Sequence, residues 1–469
     1  MRERPPFAIA LVFLALVSAA CSVLNRVDAC ERVGGADFTV NARVDNDQIT
    51  SSSRSVTRLS NGLYAATWIS TVDADIRSPS EVRVGLFTAD GRQVPSCRSS
   101  LSERSLTGAD EVAFRPAIAA SDAPNSPVYV VWQSRAREAD PLAGPYRVRA
   151  AILDVDLCAL DNGRQDVPVL ELSDDTFVRN FAPSIAVRAD GTEALAVWIG
   201  QRDEGSAILA RPLGVSTNPL GRVENNACDA SPRPCELTPV RQPGRPIVAA
   251  VRSGYVAAWS GLANDGSSRT FAVSWQRFDP SARRLANGTL PERLEDLGSV
   301  FLSLTADRDG WAIGYSALQS DSLAAQRDSD VWLRRFDASD APRGPAARIN
   351  DRVEGVQAEL SIAALGDGAV FAAWTDRGAD GRGSEVRAIT LGADDRPLFN
   401  GAACDTGSFV LSGLPAARRR LPSVWAAGDE LLALYSDNSG LDPDRFGESV
   451  RARRFSISRL LLRPATTTR

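Results

Sequence analysis

The ionisable residues of this chain restrict its possible chemistry more than any motif does. The 469 residues include no His, and all 53 residues in the Lys+Arg count are Arg. Without His, nucleophile–His–acid triads and His-ligated metal centres are excluded. Without Lys, Schiff-base chemistry and the phosphate-loop lysine are excluded as well. Carboxylate, Tyr and Arg chemistry remain, as does binding without catalysis.

Five arginines stand just before short apolar runs that are typical of β-strands. They are Arg54, Arg115, Arg179, Arg245 and Arg420. Because a guanidinium group matches carboxylate and phosphate oxygens bidentately, we expect these side chains to bind an anionic ligand or an acidic loop of a partner. The alternative is that they pair with acidic loops of the same face or are only solvated.

Acidic residues cluster in loops that follow other apolar runs, and calcium is the cofactor they could bind. The strongest candidates are Asp376, Asp380, Asp437, Asp442 and Asp444. Calcium needs six to eight oxygen ligands, and these loops could supply some of them. No loop has the dense Asp-x-Asp-x-Asp-Gly spacing of a dedicated site, so solvated polar loops are the competing interpretation. The sequence indicates no other cofactor.

The N-terminus has the pattern of an export signal. Arg2 and Arg4 precede an apolar run from Phe7 to Val17, and Ser18, Ala19 and Ala20 lead to Cys21. A charged region, a short apolar region and small residues predict a cleaved signal over residues 1–21. Small residues before a Cys also resemble a bacterial lipobox, which would make Cys21 a lipidated first residue. Ser18 replaces the usual Leu, so ordinary signal cleavage stays open.

Export places the six other cysteines in an oxidising compartment, where an even number favours disulfides. Cys228 and Cys235 share one Pro-rich loop and are predicted to pair. The other four, Cys30, Cys97, Cys158 and Cys404, allow three pairings, and the sequence does not choose among them.

The elements that must position these side chains follow from a repeat. Short apolar runs end in an aromatic residue seven times, at intervals of 56 to 66 residues. These register aromatics are Trp68, Trp132, Trp198, Trp259, Tyr315, Trp374 and Tyr435. Such a period indicates one supersecondary unit copied around an axis. We expect the rings to pack between neighbouring units and not to stack on sugars.

Each unit is predicted to form four antiparallel strands. A first strand of small apolar residues, such as 183–187, meets a tight turn such as Asp190-Gly191, and a second strand ends in the register aromatic. Alternating apolar and polar residues predict a third strand, as at 81–87, and a weaker fourth follows. Seven such units predict an all-β, seven-bladed β-propeller.

The two ends of the chain predict how the ring closes. The seventh unit lacks a fourth strand, whereas residues 38–44 resemble one and precede the first unit. We therefore expect residues 38–44 to pair beside residues 449–457. The predicted organisation is a signal at 1–21, a linker at 22–36, the propeller at 37–459 and a tail at 460–469.

The repeat resembles those of exported bacterial propeller proteins. The clearest copy runs Trp374-Thr375-Asp376-Arg377-Gly378-Ala379-Asp380-Gly381 and continues to Val386-Arg387-Ala388. The resemblance covers residues 37–459 and implies the fold. Propellers host binding, scaffolding and catalysis alike, so the resemblance implies no single function.

Two functions remain for such a chain. The first is a non-catalytic binding or scaffolding module at the cell envelope, with a protein or glycan partner and a membrane link only through the N-terminal lipid. We expect an outer-membrane or cell-surface lipoprotein, or otherwise a periplasmic or secreted protein. The alternative is a carbohydrate-active hydrolase or lyase using Asp, Glu and Arg on the channel face. A formal charge of -5 makes nucleic acid an unexpected partner.

Overall fold

The computed structural model describes most of the chain as β-structure. It describes residues 34–461, except for 52–53, 73–77, 98–100, 109, 141–143, 161–166, 215–233, 263–269, 293, 296–300, 319–327, 379–382, 399–406, 413–417 and 441–446. The predicted signal, with Cys21, lies outside these residues. No described helix is long and apolar enough to cross a membrane.

Strands β1 to β15 occupy the first half of the described chain. They are β1 Phe38–Thr39, β2 Asp47–Ile49, β3 Val56–Arg58, β4 Tyr64–Thr71, β5 Ser80–Phe87, β6 Gln93–Val94, β7 Glu103–Ser105, β8 Glu111–Ala119, β9 Val128–Ala136, β10 Arg147–Leu153, β11 Val169–Glu171, β12 Arg179–Val187, β13 Glu193–Arg202, β14 Gly205–Gly214 and β15 Cys235–Val240.

Strands β16 to β31 and one short helix occupy the second half. They are β16 Ile247–Val251, β17 Gly254–Leu262, β18 Thr270–Phe278, β19 Arg284–Thr289, β20 Leu294–Glu295, β21 Leu302–Ala306, β22 Gly310–Leu318, β23 Ser329–Asp337, β24 Ala347–Arg348, β25 Val356–Gly366, β26 Ala369–Arg377, β27 Glu385–Leu391, β28 Phe409–Val410, β29 Arg419–Ala427, β30 Glu430–Asp437, β31 Ser449–Ser456 and the helix α1 Ile457–Leu461.

The strands form sheets in a propeller-like arrangement. In each repeat unit, counted by its register aromatic, the first strand lies innermost, and these strands are β3, β8, β12, β16, β21, β25 and β29. They line one central channel of about 320 Å³. Each contacts the next in chain order, and β29 contacts β3, so the described innermost strands form a closed ring.

Hydrogen bonding does not divide the strands into seven separate blades. Five blades are separate sheets of four to six strands, while β21 to β28 form one eight-stranded sheet. The prediction of seven separate four-stranded blades is therefore wrong in its count. The physical reason is a single parallel pair, Ser329 with Val356, which links β23 to β25 and joins the strands of two repeat units.

The predicted closure of the ring is confirmed. Phe38 pairs with Ala452 and Thr39 with Arg451, so β1 completes the sheet of β29, β30 and β31. The amide of Val40 continues the pairing by donating to the carbonyl oxygen of Val450 at 2.8 Å. The predicted C-terminal strand ends at Ser456, one residue earlier than predicted, because helix α1 begins at Ile457.

The core lies between neighbouring units. Seven apolar clusters each combine side chains of two consecutive units, and the seventh joins the first unit to the last. All seven register aromatics are buried, so their predicted packing role is confirmed. Two of the predicted turns require glycine: a Cβ on Gly254 or Gly310 would lie 2.1 or 2.0 Å from a carbonyl oxygen.

A disulfide joins Cys97 to Cys158 and ties the first unit to the second. It is one of the pairings that the sequence left open. Cys235 is also disulfide-bonded, but Cys228 lies outside the described residues. The predicted pair of Cys228 with Cys235 therefore stays a prediction.

Candidate functional site

Bulges at one end of the channel determine which side chains reach it. In four innermost strands the register with the second strand shifts at the same place, just before the small-residue segment. The residue inside each bulge has a positive φ, between 50° and 56°; these residues are Arg115, Ala182, Glu359 and Leu421. A bulge re-aims the side chain it carries. The bulged residues thus form part of the rim of this channel end.

Three of the five predicted arginines meet at this end. Arg54, Arg115 and Arg245 line one small cavity of about 40 Å³, which we call the arginine mouth. Its other described lining residues are apolar or Ser, and none is Asp or Glu. Three guanidinium groups therefore share a space that holds no described carboxylate.

Arg54 lies between the arginine mouth and the channel. It lines both cavities. Its Nη2 donates to the carbonyl oxygen of Val248, on β16, at 2.8 Å. Because Arg54 belongs to the first unit and Val248 to the fourth, this side chain reaches across the channel and narrows it.

Burial disfavours the charged form of all three guanidinium groups. It lowers the pKa of Arg54, of Arg115 and of Arg245 below the ordinary value. The neighbouring charge of Arg245 lowers the pKa of Arg115 further, whereas the carboxylate of Glu359 acts in the opposite direction on Arg245. Arg245 also lies over the ring of Phe301, 5.6 Å from its centroid.

Glu359 is an acidic group at this end, and its oxygens already accept hydrogen bonds. It accepts hydrogen bonds from Thr375 Oγ1 at 2.7 Å, from Arg377 Nη2 at 3.2 Å and from the amide of Leu421 at 3.0 Å. It is buried. Glu359 therefore holds β25, β26 and β29 together at the rim.

The structure places the other two predicted arginines elsewhere. Arg179 stacks on Tyr146, with its guanidinium carbon 5.3 Å from the ring centroid. Arg420 forms a double interaction with Glu448, at 3.2 Å through Nε and 2.8 Å through Nη2. Neither lines the arginine mouth. Arg420 thus pairs with a nearby acid, which is the contact that the alternative interpretation predicted.

Two of the five predicted calcium ligands are described, and both face arginine. Asp437 Oδ1 lies 3.0 Å from Arg419 Nε, and its Oδ2 lies 3.6 Å from Arg451 Nε. Asp376 Oδ2 lies 3.9 Å from Arg387 Nε, and burial raises the pKa of this carboxyl. Among the described residues, no group of three or more acidic or Cys side chains is arranged to hold a metal ion. Asp380, Asp442 and Asp444 lie outside them.

Sequence reasoning missed Glu359 and Trp425. Both stand in positions where other units carry a different kind of residue. Glu359 occupies the bulge position that holds Arg115 in the second unit, and Trp425 stands where other units carry Ala or Thr. A comparison of the units column by column would have identified both.

The comparisons with known proteins concern the fold. No family model and no curated protein matches the chain. The polysaccharide lyase Uly1 is 9% identical, with 87% of this chain and 90% of that chain covered and a TM-score of 0.48. The NanB sialidase from Streptococcus pneumoniae is 10% identical, with 91% and 71% covered and a TM-score of 0.46.

A structure from a study of two prolyl endopeptidases is 12% identical, with a TM-score of 0.42. This chain is covered over 97% of its length but spans only 56% of that protein. At these identities and TM-scores, none of the similarities carries an argument about activity.

Proposed function

We propose that the protein is a non-catalytic binding module whose arginine mouth takes an anionic group of a protein or glycan partner. The observation that carries the proposal is the pair Arg115 and Arg245. They share one cavity, and neither has an ion pair or a side-chain hydrogen bond within the described chain. The volume of about 40 Å³ suits one small oxyanion, such as a single carboxylate.

Electrostatics gives this anion its binding energy. Desolvation disfavours the charges of Arg115 and Arg245, and the charge of Arg245 adds to that cost at Arg115. An incoming carboxylate would offset both terms and could accept paired hydrogen bonds from the guanidinium forks.

The alternative of a carbohydrate-active hydrolase or lyase has less support. Most glycosidases need two carboxylates that flank the scissile bond. The described lining of the arginine mouth contains none, and Glu359 is held by three donors. A binding role fits this arrangement better than acid–base chemistry does.

We also infer that the propeller has seven units, with the eight-stranded sheet counted as two. Seven innermost strands surround the channel, and an apolar cluster lies between each unit and the next. The described strands of these two units are joined into one sheet by the pair Ser329 and Val356. Export to the cell envelope, with or without a lipid on Cys21, completes the proposal.

Anion-dependent stabilisation tests the proposed function. Acetate, citrate and sulfate are added at constant ionic strength, with chloride as the reference, and the melting temperature is followed. The wild-type protein should be stabilised, because a ligand that binds only the folded state raises its stability. The double variant Arg115→Gln/Arg245→Gln should lose this effect. The matched control is Arg396→Gln, which removes an exposed arginine from a distant turn.

The result that would overturn the proposal is equal stabilisation of the wild type and the double variant. Anions would then act on the protein in general and not at the arginine mouth. Absence of any effect in the wild type would also overturn it.

A further inference from the structure

The opposite end of the channel opens into a second, much larger cavity. Arg58 ends β3 and Arg252 follows β16, whereas Arg54 and Arg245 precede these strands, so the two ends lie on opposite faces. The cavity has a volume of about 970 Å³ and is lined by Arg58, Arg188, Arg252, Arg308 and Trp425, among others. We call it the wide chamber.

Trp425 breaks the pattern of the innermost strands. At its position other units carry small residues, namely Ala186, Ala249 and Ala363. It lines both the channel and the wide chamber, and its ring meets Tyr64 edge-on at 5.5 Å. The side chain is partly exposed, and its indole N–H has no hydrogen-bond partner within the described chain. Residues that break a local pattern in this way are expected at functional or strained sites.

The arginines of the chamber differ in how they are paired. Arg188 lies 2.6 Å from Asp190 and 3.1 Å from Glu193, and Arg58 lies 3.5 Å from Glu430. Arg252 and Arg308 are exposed and have no ion pair within the described chain.

Acidic partners neutralise Arg58 and Arg188 but form no ion pair with Arg252 or Arg308 within the described chain. The described lining of the chamber includes four arginines and two acids, Asp122 and Asp307. Three further acids, Asp190, Glu193 and Glu430, pair with Arg58 and Arg188, so the cationic groups left for a ligand are Arg252 and Arg308. The chamber thus combines an aromatic ring, a free donor and two cationic groups that are free to bind.

We propose that the wide chamber binds an acidic saccharide. One sugar ring packs on Trp425, and the sugar carboxylate pairs with Arg252 and Arg308. Its volume falls in the range of small-molecule sites, which combine an aromatic surface with a few orienting polar groups. A sugar hydroxyl oxygen can accept a hydrogen bond from the indole N–H, and a ring without an N–H could not donate one. This site is separate from the arginine mouth, and the proposal does not depend on it.

Calorimetry with matched saccharides tests the proposal. Trigalacturonate is the acidic probe, and maltotriose is the neutral probe of the same length. We expect trigalacturonate to bind the wild type, and both Trp425→Ala and Arg252→Gln/Arg308→Gln to weaken it about tenfold or more. Trp425→Ala installs the residue that other units carry at this position, and the two arginines are exposed, so both variants should fold. Arg396→Gln, which lies outside the chamber, should change the affinity by less than about twofold.

Each other outcome overturns the proposal. Absence of trigalacturonate binding would do so, as would equal affinity for maltotriose. Unchanged affinity in both chamber variants would place the saccharide elsewhere. A loss confined to Arg115→Gln/Arg245→Gln would assign it to the arginine mouth and leave the proposed function standing without the second site.

Discussion

The hydroxyl oxygen of Ser423 accepts a hydrogen bond from the backbone amide of Ser55 at 2.8 Å and so joins the last innermost strand to the first. The same contact recurs between other units. Ser184 accepts from Val248, Ser303 from Ile362 and Ser361 from Val424, at 3.3, 3.0 and 3.0 Å. In four of the seven neighbouring pairs, the described small-residue strands therefore approach closely enough for one serine hydroxyl to link them.

We expect Ser423→Ala to destabilise the protein by about 1–2 kcal/mol, because the buried amide of Ser55 loses its acceptor. Denaturant unfolding with a fluorescence readout measures the change. Ser281→Ala, in an exposed turn, is the matched control and should change stability by less than about 0.5 kcal/mol. Equal midpoints for Ser423→Ala and the wild type would show that the link contributes nothing to closure.

The repeat made most of the fold predictable, because its period and turn residues are local properties of the sequence. The aromatic spacing located the buried rings, and the missing fourth strand located the pairing of Phe38 with Ala452. The count of separate blades was not predictable in this way. It depends on one parallel contact between Ser329 and Val356, which no local pattern encodes.

The site was only partly predictable, because bulges decide which arginines reach the channel end. Arg115 occupies a bulge position, whereas Arg420 still pairs in register with Ser436, one residue before the bulge of its strand. Alternate residues of a strand point to opposite faces, so a shift of one position separates the two side chains. Arg179, at the start of β12, lies further from its bulge.

Removal of the disulfide should weaken the contact between the first two units. Cys97 and Cys158 are 61 residues apart. Closing a loop of this length reduces the entropy of the unfolded chain, which corresponds to about 4 kcal/mol of stability. We expect Cys97→Ser/Cys158→Ser to lower the free energy of unfolding by about 2–4 kcal/mol. Thermal unfolding with and without a reductant measures it, and a reductant effect that persists in the double variant would point to another disulfide.

The buried carboxylate of Asp437 should be far more costly to remove than an exposed one. Arg419, Arg451 and Asp437 are all buried, and the carboxylate lies near both guanidinium groups. Breaking a buried ion pair typically costs about 3–5 kcal/mol, because it leaves a charge uncompensated. We expect Asp437→Ala to fall in this range, and Asp394→Ala, whose partner Arg396 is exposed, to cost less than about 1 kcal/mol. Similar unfolding free energies for the two variants would contradict the assignment.

We expect that calcium does not stabilise the protein by binding to Asp376 or Asp437. Both carboxylates face arginine, and calcium prefers six to eight oxygen ligands. The difference between the melting temperatures in EDTA and in millimolar calcium should therefore be the same in the wild type and in Asp437→Asn. A calcium-dependent rise that Asp437→Asn abolishes would restore that carboxylate as a ligand.

We expect Arg115 to lower the free energy of unfolding when no ligand is bound. Its guanidinium is poorly solvated and shares the arginine mouth with Arg245, and both conditions lower its pKa. The folded protein therefore carries the cost of this charge at neutral pH, where arginine stays protonated in the unfolded chain. Arg115→Gln should raise the free energy of unfolding by about 0.5–2 kcal/mol, as removal of strain at a binding site often does.

Denaturant titrations in chloride measure the gain, and citrate should reduce the difference by stabilising only the wild type. A destabilised variant in chloride would show instead that Arg115 has a compensating structural partner.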